Sequence, residues 1–201
     1  MTAAGFHQNI ADPQPGAWLS STGIPVDLMV PEALAGPKSR RSGRIPPHAQ
    51  RATRRAVGLE AAVIDRARMP IRALDTADRR EVTASVAGPA ALLVAKLHKL
   101  GERLDEPTRL LDKDAHDIYR LLVAISTDEL TRSLGRLLAE DLSATITRQA
   151  VGYLAEIFGA GPEAIGSQMA GRAESLVGNP DTVARSVSIL ASDLTAALAN
   201  P

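Results

Sequence analysis

The stretch from Leu92 to Leu122, LLVAKLHKLGERLDEPTRLLDKDAHDIYRLL, sets a lysine-bearing helix against an acidic one across a short break. Leu93, Leu97, Leu100 and Leu104 recur at helical spacing, and Lys96, Lys99 and Arg103 fall together on a neighbouring face. One face is core; the other is cationic. Gly88 and Pro89 open this helix, with proline near the first helical position where its missing N–H costs nothing, and Pro107 stops the chain continuing. After the break Asp112 is placed to cap a second helix, along which Ala115, Ile118, Leu122 and Ile125 form the apolar stripe. Asp114 and Asp117 share a side next to that stripe. Ion pairs tying the two helices together are one account of these residues.

Upstream of the stretch the pattern is β-like. Ala17 to Leu19 reads as a short strand, and Ile24 to Val30, IPVDLMV, reads as a strand with Val26, Leu28 and Val30 on one face. That leaves Asp27 and Met29 on the other face. From Gly36 to Gly58 the chain carries Lys38, Arg40, Arg41, Arg44, Arg51, Arg54 and Arg55 and no acid, broken by glycine, proline and serine. This predicts a loop with at most a helical turn, whose charge is able to draw in phosphate. Three β-like runs follow, Ala61 to Ile64, Met69 to Leu74 and Glu81 to Val86, separated by charged turns. They predict a mixed or antiparallel sheet.

Beyond Gly88 every segment reads helical. Ser126 with Glu129 has capping-box spacing for a helix from Thr127 to about Glu140. Asp141 or Ser143 begins another to Phe158, a third runs from Pro162 to Val177, and Gly178-Asn179-Pro180 precedes a last one to Leu198. The expected architecture is therefore α+β: a β-rich region over 1–87, with its basic loop at 36–58, and a helical bundle over 88–201.

Composition narrows the function classes. With 201 residues, 45% of them hydrophobic, the chain can bury a real core, which excludes disorder throughout. Aromatics make up 2%, so base-stacking platforms are scarce, and Lys+Arg balance Asp+Glu at 23 each, so no global field attracts polyanions. Nucleic-acid affinity would have to be local. The chain has no cysteine, which removes disulfides, thiolate catalysis and cysteine zinc sites. Without a signal pattern or an apolar run approaching a membrane span, a cytoplasmic protein with no membrane partner is expected.

The two helical stretches resemble the helical motifs of the AbiEii-like nucleotidyltransferases, toxin members of the polymerase-β-type nucleotidyltransferase superfamily. In that family the first motif reads Glu, hydrophobic, three of any residue, Lys, hydrophobic, any residue, Ala. Here Lys96 and Leu97 match, Ala91 stands where the acid belongs, and Lys99 stands where the alanine does. The second motif reads Arg-Asp, two hydrophobics, Asp, hydrophobic; it appears as Lys113, Asp114, Ala115, His116, Asp117, Ile118, with both acids matched and lysine for arginine. The run VDLMVPEAL around Asp27 resembles the strand on which the superfamily carries its third metal-binding acid.

The resemblance implies a partial nucleotidyltransferase-like mixed sheet ahead of a C-terminal helical bundle. It implies Mg²⁺-dependent transfer of a nucleotide from a nucleoside triphosphate to tRNA, another RNA or a protein, in a toxin–antitoxin setting with a cognate antitoxin as partner. By this reading Lys96 holds phosphate, Asp114 or Asp117 orients that lysine or acts on the acceptor, and Asp27 is both catalytic and the metal ligand. Arg40, Arg41, Arg44, Lys99, Arg103 and Lys113 would meet phosphate or RNA. Two magnesium ions in this superfamily need a Gly-Ser loop and an Asp-x-Asp pair as well. The twenty-six residues before Asp27 contain neither, so the expectation is a truncated reading of a longer enzyme, or a degenerate member with vestigial transfer.

Two other readings compete. His116-Asp117 is an HD dipeptide, and with His98 and Asp114 as further ligands it would suit a metal phosphohydrolase. Alternatively the chain is a non-catalytic interaction module that binds a cognate protein, or binds RNA through the arginine loop.

Overall fold

The computed structural model describes residues 1–12, 14–36 and 41–200, so Arg40 and Lys38 lie outside the described residues. The chain is α+β with a helical C-terminal region, and it packs as two compact units, Met1–Glu60 and Ala61–Pro201.

In the first unit β1 (His7–Gln8), β2 (Ala17–Leu19) and β3 (Pro25–Asp27) form an antiparallel sheet, and β4 (Met29–Pro31) pairs in parallel with β5 (Arg54–Ala56). The alternation over Val26, Leu28 and Val30 is present, with Asp27 and Met29 exposed. The single strand expected from Ile24 to Val30 is instead two, because Leu28 changes partners: its N–H donates to Gly16 O (2.8 Å) and its carbonyl accepts from Arg54 N (2.8 Å). Gly16 is required at that crossing. Its φ is +82° and a Cβ there would lie 2.3 Å from Leu28 O. Trp18 anchors the small core, donating from Nε1 to Ala52 O at 2.9 Å, and the buried Glu60 carboxylate accepts from Ala33 N and Gly58 N, each at 3.0 Å. A buried acid satisfied by two backbone donors holds the loop ends of this unit together. The basic stretch expected to be loop to Gly58 ends in the strand β5, which puts Arg54 and Arg55 on a sheet.

The second unit begins with α1 (Ala61–Ile64), a single helical turn where a strand was expected; a four-residue apolar run fits either element, and Asp65 N closes the turn onto Ala61 O at 2.8 Å. β6 (Arg66–Arg72) and β7 (Glu81–Ala87) follow as an antiparallel two-stranded ribbon. Asp65 at the ribbon's base explains the start of α2 (Pro89–Gly101): its carboxylate accepts from Ala91 N at 3.0 Å, capping the helix from outside, and a Cβ on Gly88 would lie 2.4 Å from those oxygens.

α3 (Asp112–Ala124), α4 (Thr127–Ala139), α5 (Asp141–Leu154), α6 (Ile165–Glu174) and α7 (Pro180–Ala199) complete the bundle, with a π turn over Ala155–Gly159. Ser126 caps α4 by accepting from Glu129 N at 3.3 Å, and Asn179 caps α7 by accepting from Thr182 N at 2.9 Å. The expected cap at Asp112 is not formed: Leu111 occupies the cap position and Asp112 is already helical. The helix expected from Pro162 to Val177 is confined to Ile165–Glu174, because turns closed by Ala164 N to Gly161 O and Gly178 N to Glu174 O take its two ends. Leu93, Leu97, Leu100, Ile118, Leu134 and Phe158 are fully or almost fully buried in one core, each worth about 1.5–3 kcal/mol as an upper bound. The change from strand to helix falls at Gly88, whereas packing divides the chain at Glu60 and leaves the ribbon with the helices. Among the described residues no helix is long and apolar enough to cross a membrane.

Candidate functional site

The seam between α2 and α3 brings together Lys96, Lys99, Arg103, Asp114 and Asp117 from the residues singled out in the sequence. Leu93, Leu97 and Leu100 turn into the core, which leaves Lys96, Lys99 and Arg103 along the flank facing α3. Lys96 Nζ pairs with Asp117 Oδ2. Lys99 Nζ lies 2.6 Å from Asp114 Oδ1, and Arg103 Nη1 lies 3.3 Å from Asp114 Oδ2 while also donating to Arg109 O at 3.1 Å. Asp114 is buried and the three cations reach it or its neighbour from the solvent side.

The opposite flank of α3 is engaged as well. Arg172 on α6 grips Asp112 through two hydrogen bonds, Nε to Oδ2 at 3.0 Å and Nη2 to Oδ1 at 2.7 Å, and His116 Nε2 lies 2.6 Å from Glu174 Oε2. Polar groups at 112, 114, 116 and 117 thus alternate between α6 and α2, clamping α3 from both sides. Sequence reasoning missed Arg172 and Glu174, which lie about sixty residues downstream and carry no local signal of their role.

Asp117 is held below the usual carboxylate range. The hydrogen bond from Lys96 is the main cause; partial burial opposes it, and the charges of Lys96, Arg120 and His116 add to it. An acid so stabilised in its charged form is a poor proton acceptor, which suits an ion pair better than general-base work. Lys113 is exposed.

Asp27 belongs to the first unit. It is half exposed and pairs with Arg54 Nη2 at 3.3 Å, while Arg54 also donates to Gln14 Oε1 at 2.9 Å. Arg55 pairs with Glu32 at 3.0 Å. Arg41 and Arg44 are exposed, and Arg44 lines an open hollow with Ile45, Pro46, Pro47, His48 and Gln50.

These placements bear on a metal. Asp27, the one acid named for magnesium, faces a guanidinium, and the other two candidate catalytic acids are paired as well, Asp114 with two cations and Asp117 with a third. Among the described residues no three His, Asp or Glu side chains converge in a way that could hold an ion. The magnesium arrangement therefore does not fit the described residues. The HD-type arrangement fits no better, because His98 is buried with Nε2 2.7 Å from Ile146 O and its ring edge-on to Tyr153 at 5.6 Å. It is a core histidine.

Comparison with protein-family models, characterised proteins and solved structures finds no match to this chain. The resemblance to AbiEii-like nucleotidyltransferases accordingly rests on the two helical stretches and the strand around Asp27.

Proposed function

We propose that this chain is a non-catalytic RNA-interaction module: a basic N-terminal unit that meets phosphate, joined to a helical scaffold. The observation that carries this reading is the fate of the charges. The candidate catalytic acids Asp114 and Asp117 are neutralised within the scaffold, whereas Arg41 and Arg44 stand exposed, Arg44 beside an open hollow. Residues 1–60 hold seven Lys and Arg against four Asp and Glu, and three of those acids, Asp27, Glu32 and Glu60, are occupied by Arg54, Arg55 and two backbone N–H groups. Local surplus of this kind supplies the sequence-independent part of nucleic-acid affinity. A tRNA or another structured RNA in the cytoplasm is the partner it suits.

The test is binding of labelled tRNA over a range of salt. Affinity should fall steeply with salt, and the double variant Arg41→Ala, Arg44→Ala should bind more weakly, with the salt slope reduced by about one for each phosphate no longer neutralised. Unchanged affinity and slope in that variant would sink the reading.

Nucleotide transfer in a toxin–antitoxin setting is a second reading, favoured by one observation: Lys96 and Asp117, from the two stretches that carry the resemblance, meet as a partly exposed pair. Labelled nucleotide incorporated into tRNA or protein by this chain, and not by a Lys96→Ala variant, would support it. No incorporation above that variant removes it.

A further inference from the structure

The β6–β7 ribbon is two-faced. Ala67, Met69 and Ile71 share one face with Val82, Ala84 and Val86, and Arg66, Arg68, Pro70 and Arg72 share the other with Glu81, Thr83, Ser85 and Ala87. Met69, Ile71 and Val82 are about half exposed, and Leu74 in the turn is completely so. The sheet has only these two strands, so both edges are unpaired by any other described strand. Such an edge is a template for another strand.

The two edges differ. Gly88 N donates to Asp65 O and Ala73 N to Arg80 O, which fixes the ladder: odd residues of β6 bond even residues of β7. Pro70 therefore sits in a non-hydrogen-bonded pair with Thr83, and its missing N–H falls on the outer edge of β6, where it blunts strand addition. On β7 the outward groups belong to Glu81, Thr83, Ser85 and Ala87, and none of these is proline. The accessible edge reads Val82-Thr83-Ala84-Ser85-Val86, a sequence nearly the same in both directions.

We propose that the outer edge of β7 pairs antiparallel with the same edge of a second copy of this chain, about a twofold axis through Ala84. That register matches the outward-facing groups, Thr83 to Ser85 and Glu81 to Ala87, as hydrogen-bonded pairs. It sets Val82 against Val86 of the second copy on the apolar face and hydroxyl against hydroxyl on the polar face, the cross-strand pairs that stabilise sheets. Charge agrees too. Glu81, the one charged residue of β7, bonds Arg72 of its own ribbon at 2.7 Å and would face the second copy's Arg66 across the small side chain of Ala87. The result is a four-stranded sheet with a continuous apolar face, and each turn with its exposed Leu74 lies alongside the base of the other ribbon. Pro70 on both outer edges stops further addition, so the assembly closes at two copies.

Sedimentation equilibrium of the full chain over the micromolar range should report twice the chain's mass. The double variant Thr83→Pro, Ser85→Pro, which removes outward N–H groups that β6 does not use, should sediment as a monomer with unchanged circular dichroism. A second variant covers the case in which those prolines unfold the ribbon. The chain has no cysteine, and an Ala84→Cys pair at the axis would have Cα atoms about 4.5 Å apart, within disulfide range. Ala84→Cys should cross-link to a dimer under mild oxidation many-fold faster than a Leu74→Cys control. A monomeric wild type, a dimer that survives the two prolines, or equal cross-linking of the two cysteine variants would overturn the proposal.

Discussion

Lys99 Nζ lies 2.6 Å from Asp114 Oδ1 across the α2–α3 seam, with the ammonium 39% exposed and the carboxylate only 2%. The pair is lopsided: the acid has given up its water, whereas the cation has not. Asp114 also lies in the first turn of α3, where the helix dipole favours a negative charge. The two ends of the interaction should therefore respond differently to removal.

Asp114→Ala deletes the buried charge and leaves Lys99 and Arg103 without their partner, although both can still turn to water. A loss of about 2–3 kcal/mol is expected, below the range for a fully buried pair. Lys99→Ala leaves Asp114 with Arg103 and should cost under about 1 kcal/mol. Urea unfolding monitored by circular dichroism measures both. Equal, small losses would show that Asp114 does not anchor the seam.

Asp117 is expected to make a pH-dependent contribution. Its carboxyl is held low in the folded chain, chiefly by the hydrogen bond from Lys96, so the stability it adds is fully present above its ordinary value of 3.8 in the unfolded chain and is lost as pH falls through the lower folded value. Because the pair is more than a third exposed on the acid's side, the contribution should stay below about 1 kcal/mol. In Lys96→Ala the Asp117 carboxyl should titrate closer to its ordinary value in an NMR titration, and the stability gap to wild type should narrow as pH drops below about 4. A Lys96→Ala titration identical to wild type would mean that the lysine is not what holds the acid low.

The helices were legible because their signals are local. Leu93, Leu97 and Leu100 repeat every turn, and Pro89, Ser126 and Asn179 mark starts that the structure places at the same residues. The cationic flank of Lys96, Lys99 and Arg103 facing Asp114 and Asp117 followed from the same spacing. What stayed hidden depends on distant chain. Asp112 looked like a cap because aspartate before an apolar stripe usually is one, but Arg172 claims its carboxylate from sixty residues away. Asp65 looked like a turn residue, whereas its position under α2 makes it that helix's cap. The run from Ile24 to Val30 alternates as a strand should, and only the switch of partner at Leu28 divides it.

Glycine on two helices of the second unit should answer the same substitution with opposite signs. Gly171 on α6 packs against the start of α7, where a Cβ would lie 2.6 Å from Pro180 O and 3.5 Å from Ala184 Cβ. Alanine there gains up to about 1 kcal/mol of helix propensity but must push a backbone carbonyl at a helix start, and overpacking of this kind costs about 1–3 kcal/mol. The clash meets backbone, which cannot swing aside as a side chain would, so Gly171→Ala should be destabilising by about 1–2 kcal/mol. Gly135 on α4 is exposed, and a Cβ there would meet nothing within 4 Å. With no opposing contact the propensity gain stands alone, and Gly135→Ala should raise the unfolding midpoint. Thermal or urea unfolding of the two variants decides the matter: a Gly171→Ala chain as stable as Gly135→Ala would mean that α6 and α7 can separate without cost, and that the close crossing is not what seats them.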